Sequence, residues 1–380
     1  MEIMPLFELG FAVLSVIGLV VILRQNRRAQ RDDIALLSNQ PAHQITPPVS
    51  RWSQTPKVSF LVAAWNESVH IEAHIKAYCD LRYPNKELLL TVGGDDTTYQ
   101  QAIQYAGIDD IFIFEQDAGE GKQKALKRIF PEATGKIIYF SDADCMLTSE
   151  AVEKVIYPIA IGLEQACSGA SKPFDELMEN PIVFSQASSQ LYSTLLLPEY
   201  APGLLGRNCA VRQDVLIETD ALAAPAPTGT DYVLAKEISK TGVEILQIPE
   251  SQMPTEYPTS ARDYIRQQRR WIRNVGLYGN RYDAVEELNA AVRTSLIGAL
   301  MLVFPATFLI LDAPVILGWS LLFIYALLAR YRYLKVASAY WQRPLTSRDY
   351  LWQGPLLILD FIAWAQPLID YIFPDRQDDW

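Results

Sequence analysis

Two carboxylates one residue apart, Asp142 and Asp144, follow directly on the apolar run Ile137–Phe140. A pair so spaced at a strand end can hold a divalent cation that bridges a diphosphate, and a solvated turn is the alternative use of the same residues. Gly119-Glu120-Gly121-Lys122 either lends the Lys122 ammonium to a phosphate or forms an ordinary turn. Farther on, Thr230-Asp231 opens a stretch of helical spacing ending at Thr241-Gly242, where Asp231 suits a helix cap. Gln267-Gln268-Arg269-Arg270-Trp271 lies in a basic, amphipathic stretch from Arg262 to Arg281, and a helix resting on anionic lipid headgroups accounts for that charge without chemistry. His70 and His74 stand four apart and read as exposed surface residues without a role.

The elements that must position these groups alternate. Val58–Ala64, Leu88–Val92, Ile111–Phe114 and Ile137–Phe140 are short apolar runs of strand type. Between them, Glu67–Leu81, Thr97–Tyr105 and Gly121–Phe130 have helical spacing. Strand and helix in alternation predict parallel strands joined by crossover helices. Ligands of such sheets gather at the carboxyl ends of the strands, and polar groups follow each run: Asn66-Glu67, Asp95-Asp96, Asp117 with Glu120–Lys122, and Ser141–Asp144. Neither G-x-G-x-x-G after the first strand nor G-x-x-x-x-G-K-[ST] anywhere is present, which disfavours NAD and ATP chemistry.

Over 380 residues the formal charge is −11, which argues against general nucleic-acid binding; no nucleic-acid partner is expected. The hydrophobic fraction of 50% is ample for a buried core. Cys79, Cys145, Cys167 and Cys209 are far apart and form no C-x-x-C pair, as suits a reducing compartment. The three histidines all lie near the front of the chain, which removes His-based triads and His-rich metal sites later on.

Leu6–Leu23 is apolar apart from Glu8 and Ser15 and reads as a transmembrane anchor rather than a cleaved signal peptide, since no basic cluster precedes it and no A-x-A site follows. Arg24, Arg27, Arg28 and Arg31 then place the middle of the chain in the cytoplasm. Leu296–Leu311 and Val315–Ala329, split by Asp312-Ala313-Pro314, predict a membrane hairpin, with Arg330, Arg332 and Lys335 marking a cytoplasmic return. Leu351–Phe373 is a fourth expected span; its Asp360, Gln366 and Asp370 mean either a polar lining or a segment lying in the interface. The expected organisation is an anchor over 1–28, a Pro-containing linker over 29–56, a catalytic domain over 57–258, an interfacial segment over 259–290 and C-terminal membrane segments over 291–380.

Taken together, Val58–Ala64 with Trp65-Asn66-Glu67, Asp142-x-Asp144, Thr230-Asp231 and Gln267-x-x-Arg270-Trp271 resemble the membrane-bound glycosyltransferases of family 2, over about residues 57 to 275. The resemblance implies an α/β fold with a GT-A nucleotide-sugar-binding domain, a Rossmann-like mixed sheet, plus transmembrane helices at both ends. It implies that Ala64 and Glu67 line the nucleotide pocket and that Asp95 contacts the base, although Gly93-Gly94 stand where the family carries an adjacent Asp pair. It gives Asp142 to the ribose and metal, Asp144 to Mg²⁺ or Mn²⁺ as principal ligand, and Asp231 the part of general base, with Thr230 where a Glu usually stands. Arg270 would pair with the diphosphate, and Gln267 and Trp271 would meet the acceptor. Gly206–Arg212 resembles the segment before the base that shapes the acceptor pocket; a buried strand is the other reading. The implied activity is inverting transfer of a sugar from a nucleotide diphosphate, a UDP-sugar by expectation, to a lipid or glycan hydroxyl at the cell membrane. The alternatives are a processive polysaccharide synthase of the same family and a noncatalytic nucleotide-sugar-binding scaffold.

Overall fold

The computed structural model describes the backbone of residues 3–38, 46–108, 110–307 and 313–372, and the side chains of these apart from 3–9, 11, 12, 304–307, 313–315 and 369–372. In chain order the helices and strands are α1 (Ile3–Ser38), β1 (Val58–Trp65), α2 (Ile71–Cys79), β2 (Lys86–Gly93), α3 (Thr98–Ala102), β3 (Ile111–Glu115), α4 (Gly121–Ile129) and β4 (Ile137–Asp142). They continue with α5 (Ser149–Ala160), β5 (Ala166–Pro173), α6 (Pro181–Leu195), β6 (Cys209–Arg212), α7 (Gln213–Thr219), α8 (Thr230–Ser239) and β7 (Ile245–Thr255). The last are α9 (Ala261–Tyr278), α10 (Val285–Thr307), α11 (Ala313–Tyr340), α12 (Ser347–Leu351) and α13 (Gln353–Ile372). Two compact units result, one made of 41–176 and 193–257, the other of 1–40, 177–192 and 258–380.

The first unit is a mixed sheet in the order β3-β2-β1-β4-β6-β5-β7. The four expected strands are present and mutually parallel, β1 between β2 and β4. β1, β2 and β4 are buried on both faces, as their continuous apolar runs require, whereas β3, at the sheet edge, buries Ile111 and exposes Phe112. Phe60, Val62, Leu88, Leu90 and Tyr139 point to the core shared with α2 and α5, while Leu61, Leu89, Ile138 and Phe140 point to that shared with α4, α7 and α8. Full burial of each such side chain contributes about 1.5–3 kcal/mol. β6 runs antiparallel between β4 and β5, so the unbroken parallel pairing ends at β4 and the sheet is mixed, as the resemblance implied. Asn66 adopts a left-handed backbone (φ 59°), so α2 begins at Ile71 and not at Glu67.

In the second unit the expected linker is partly helical. α1 runs unbroken to Ser38, and its Asp33, 6% exposed, receives Arg332 Nε at 2.7 Å and the Tyr192 hydroxyl at 2.8 Å. Residues 39–45 of that linker lie outside the described residues. Arg330 and Arg332 make buried ion pairs with Asp360 and Asp33. Asp360, rather than lining a pore or an interface, faces Arg330 and Tyr264.

Among the described residues no helix is long and apolar enough to cross a membrane, and the four expected spans are unconfirmed. Parts of those runs, including Leu6 to Leu9, the turn at Asp312-Ala313-Pro314, Asp370 and the acidic tail, lie outside the described side chains. Where described, α1 exposes Val13, Leu14, Val16 and Ile17, and α10 exposes Leu296, Leu300 and Val303. Residues 177–192, expected within the catalytic domain, group with the helical unit.

Candidate active site

β1 and β4 are paired through Ala63 opposite Asp142, which sets Ala64, buried, beside the end of β4. From there the chain turns: Asp144 O accepts the Glu256 N–H at 3.2 Å and the Thr255 hydroxyl at 3.3 Å, which ties the Asp142–Asp144 loop to the end of β7. Behind it His74, 1% exposed, places Nδ1 2.8 Å from the Cys145 carbonyl. The expectation of a surface histidine was therefore wrong. α2 turns His74 inward, and burial drives its pKa down, so the ring is neutral and Nδ1–H is the donor.

Lys122, in the first turn of α4, donates to Asp142 Oδ1. Arg207, two residues before β6, approaches the other Asp142 oxygen at 3.8 Å and donates to Thr255 Oγ1 at 3.0 Å. Burial works against the charge of Lys122, and Asp142 followed by Asp231 outweighs it, leaving its pKa raised. Arg207 is likewise opposed by burial and held charged by Asp144 and Asp142. Asp231 is the second residue of α8. Its Oδ1 accepts the Tyr232 N–H at 2.9 Å and its Oδ2 the Gly206 N–H at 3.4 Å, which fixes the carboxylate against the β6 approach. A Cβ at Gly206 would stand 3.0 Å from the Asp231 Cβ, so any side chain here would press on the Asp231 carboxylate's own stem. The cap of α8 is Gly229 in a left-handed conformation (φ 65°), not Asp231.

Glu67 follows β1, its N–H bonded to Thr98 Oγ1 at 2.8 Å. Burial first, then Asp144, Asp142, Asp96 and Glu256, push its carboxyl up to about 7. The neighbouring loop holds Asp95 by its N–H, which donates to Asn66 Oδ1 at 2.7 Å, and leaves the Asp95 side chain exposed. Asp96 is the structured member of that pair: it accepts Thr98 N–H at 2.9 Å and Ser68 N–H at 3.1 Å, bonds that overcome burial and pull its pKa down to about 2. Gly93 and Gly94 stand here because side chains would not fit: a Cβ on Gly93 would meet Gln116 O at 2.6 Å, and one on Gly94 would meet Asn66 N at 2.7 Å.

Asp142, Asp144, Glu67, Lys122 and Asp231 thus share one electrostatic neighbourhood at the carboxyl ends of the strands. Arg207 and Asp96 complete it; in the sequence both stood within noted segments, Gly206–Arg212 and Asp95-Asp96, without either residue having a role of its own. Gln267, Arg270 and Trp271 lie on α9 in the other unit, where Gln186 donates to Gln267. A cavity of about 420 Å³ lined by Lys136, Ile137, Arg212 and Asp214 lies at the opposite end of β4 and contains none of these residues.

Among the described residues no three His, Cys, Asp or Glu side chains converge as a ready-made metal cage. The donor set nevertheless fits a cation of the Mg²⁺ type, which takes one or two carboxylates and completes its shell with substrate phosphates and water. Crowding of Glu67 by neighbouring carboxylates is the mark of a place where positive charge is wanted.

Residues 59–219 match the family model described as Glycosyl transferase family 2. It is 30% identical over 126 residues to the probable glycosyltransferase YdaM of Bacillus subtilis, a match covering 30% of this chain and 29% of that protein. It is also 24% identical over 116 residues to a poly-beta-1,6-N-acetyl-D-glucosamine synthase of Staphylococcus epidermidis, covering 30% and 28%. The matched stretches therefore span less than a third of each relative. Among solved structures, the mannosyltransferase PcManGT of Pyrobaculum calidifontis, in complex with GDP-Man and Mn²⁺, superposes with a TM-score of 0.53 at 16% identity, covering 97% of this chain and 100% of that one. That likeness establishes a GT-A-like mixed-sheet fold.

Proposed function

We propose that the chain is a membrane-integrated, inverting glycosyltransferase that moves a sugar from a nucleotide diphosphate, preferentially a UDP-sugar, to a lipid or glycan hydroxyl. The observation that carries this reading is the placement of Asp142 and Asp231 beside Lys122, with Asp144 beside Arg207 and Glu67, at the strand ends of the stretch that matches the family 2 model. In this reading Ala64, Glu67 and Asp95 bind the nucleoside, and Lys122 and Arg270 meet the diphosphate. Asp142 and Asp144 would hold Mg²⁺ or Mn²⁺, which when bound neutralises charge on the departing diphosphate. Asp231, oriented by two backbone N–H groups, takes the proton of the attacking acceptor hydroxyl at a carboxylate oxygen. Inversion follows from direct displacement at the anomeric carbon, with no covalent glycosyl-enzyme. Gln267 and Trp271 contact the acceptor.

Membrane integration is supported by the exposed apolar residues of α1 and α10, which water would leave uncompensated. The location that follows is the cell membrane, with the sheet on the cytoplasmic side. Acceptor length is open to two uses: one relative is a polysaccharide synthase, and a beta-monoglucosyldiacylglycerol synthase of Nostoc is 32% identical over 108 residues, covering 27% of this chain and 23% of that protein. Product length with labelled donor separates them.

The test measures donor binding and transfer separately. Asp231→Asn should retain nucleotide-sugar binding and lose transfer by about 10²–10⁴-fold. Asp144→Ala should lose Mn²⁺-dependent donor binding. Wild-type transfer by Asp231→Asn removes the base assignment, and a protein that binds no nucleotide sugar across a full panel is not a transferase of this kind.

A further inference from the structure

Within the helical unit, buried polar side chains from four helices close into a ring. The Tyr264 hydroxyl on α9 donates to Asp360 on α13, whose other oxygen receives Arg330 from α11. Arg330 Nη2 donates to Ser185 Oγ on α6 at 2.5 Å, and the next residue, Gln186, donates to Gln267 back on α9. Gln353 braces the ring, accepting Arg330 Nε at 3.0 Å and the Ser185 hydroxyl at 2.7 Å. Arg330, Asp360, Ser185 and Gln186 are each at most 6% exposed.

We infer that this ring fixes the rotation of α9 and makes Asp360, Arg330 and Tyr264 positioning residues for the Gln267-x-x-Arg270-Trp271 segment. Tyr264 and Gln267 are three residues apart, neighbours on one helix face, and each is clamped by a different helix. Two clamps on one face leave α9 no freedom to roll. Arg270 and Trp271 lie three and four residues beyond Gln267, so the direction in which they project is set by the same rotation. A buried ion pair is weak evidence for stability, because well-packed apolar residues commonly replace one at no cost to folding. What apolar residues would not supply is directional bonding that distinguishes one angle of α9 from another.

The inference rests on the functional reading above only in its activity arm. Tyr264→Phe removes one bond from the ring and little volume; the double variant Arg330→Met with Asp360→Leu removes both charges together. Backbone amide exchange over 261–278 is followed by mass spectrometry, alongside Tm, nucleotide-sugar binding and steady-state kinetics on the full-length protein. The expected result is at least fivefold faster exchange in α9, kcat lowered about tenfold, donor KM raised through the displaced Arg270, and Tm unchanged. Exchange and kcat at wild-type values in either folded variant overturn the inference. If the double variant does not fold, Tyr264→Phe decides alone. If the wild-type protein transfers no sugar, the functional reading fails, while the exchange measurement still confirms or refutes the ring.

Discussion

The ammonium of Lys122 donates to Asp142 across 20 positions of sequence, from the first turn of α4 to the last residue of β4. In the site as read here, the same ammonium is within reach of a donor phosphate. Lys122→Met keeps the stem and removes the charge. Loss of a charge-assisted hydrogen bond is worth about 1.5–3 kcal/mol, so nucleoside diphosphate should bind roughly ten- to a hundredfold more weakly by calorimetric titration. An unchanged Kd would take Lys122 out of the donor site.

Glu67 carries a carboxyl whose pKa is raised from 4.5 to about 7 in the folded protein. Between those values the folded state binds more protons than the unfolded one, so this group costs stability as pH rises from 4.5 through 7. Glu67→Gln removes the cost. The variant should match wild type in Tm near pH 4 and exceed it at pH 8; parallel Tm profiles would show that Glu67 ionises without penalty.

His74 acts with the opposite sign. Its folded pKa lies below 6.5, so the unfolded chain takes up the proton first and stability falls as pH drops below 6.5. Among the described residues Nε2 has no partner, so a second ring proton would have nowhere to go. His74→Phe leaves the Cys145 carbonyl without its donor and should lower unfolding free energy at pH 7.5 by about 1–3 kcal/mol in urea, with a shallower loss in acid. A variant as stable as wild type at both pH values would mean that the bond to Cys145 is dispensable.

Gly94 has φ +130°, and a Cβ there would collide with Asn66. Gly94→Ala should cost more than about 1 kcal/mol, because a strained backbone is added to the clash. It should also weaken donor binding, since Asn66 orients the Asp95 loop through its side chain. Gly107→Ala, also at positive φ (+88°) but with open space where its Cβ would fall, separates backbone strain from collision. Equal losses in the two variants would rule the Asn66 contact out as the cause.

β1 to β4 were legible because each is a short apolar run, buried on both faces in β1, β2 and β4 and half-exposed in the edge strand β3. β5 reads Ala-Cys-Ser-Gly-Ala-Ser-Lys-Pro, small and polar, and declares itself only through pairing with β6 and β7. β7 contains Pro249 and Pro254, which argue against a strand until its partners are seen. Residues 29–38 looked like part of a linker because Pro41, Pro47, Pro48 and Pro56 follow them, but Asp33 finds Arg332 some 299 positions away, a pairing no local pattern carries. The site was legible as polar groups at strand ends. Its internal wiring was not: which cation faces Asp142, which of Asp95 and Asp96 is held, and that His74 turns inward all depend on tertiary contacts.

That pairing of Asp33 with Arg332 has a consequence for how the protein is made. α1 leaves the ribosome ahead of the sheet, yet its buried partner is translated almost three hundred codons later, after every strand of the sheet has emerged. The sheet can finish folding during synthesis. The first helix must wait for the last third of the chain, and until then its apolar side chains need another host, whether a chaperone, the insertion machinery or lipid.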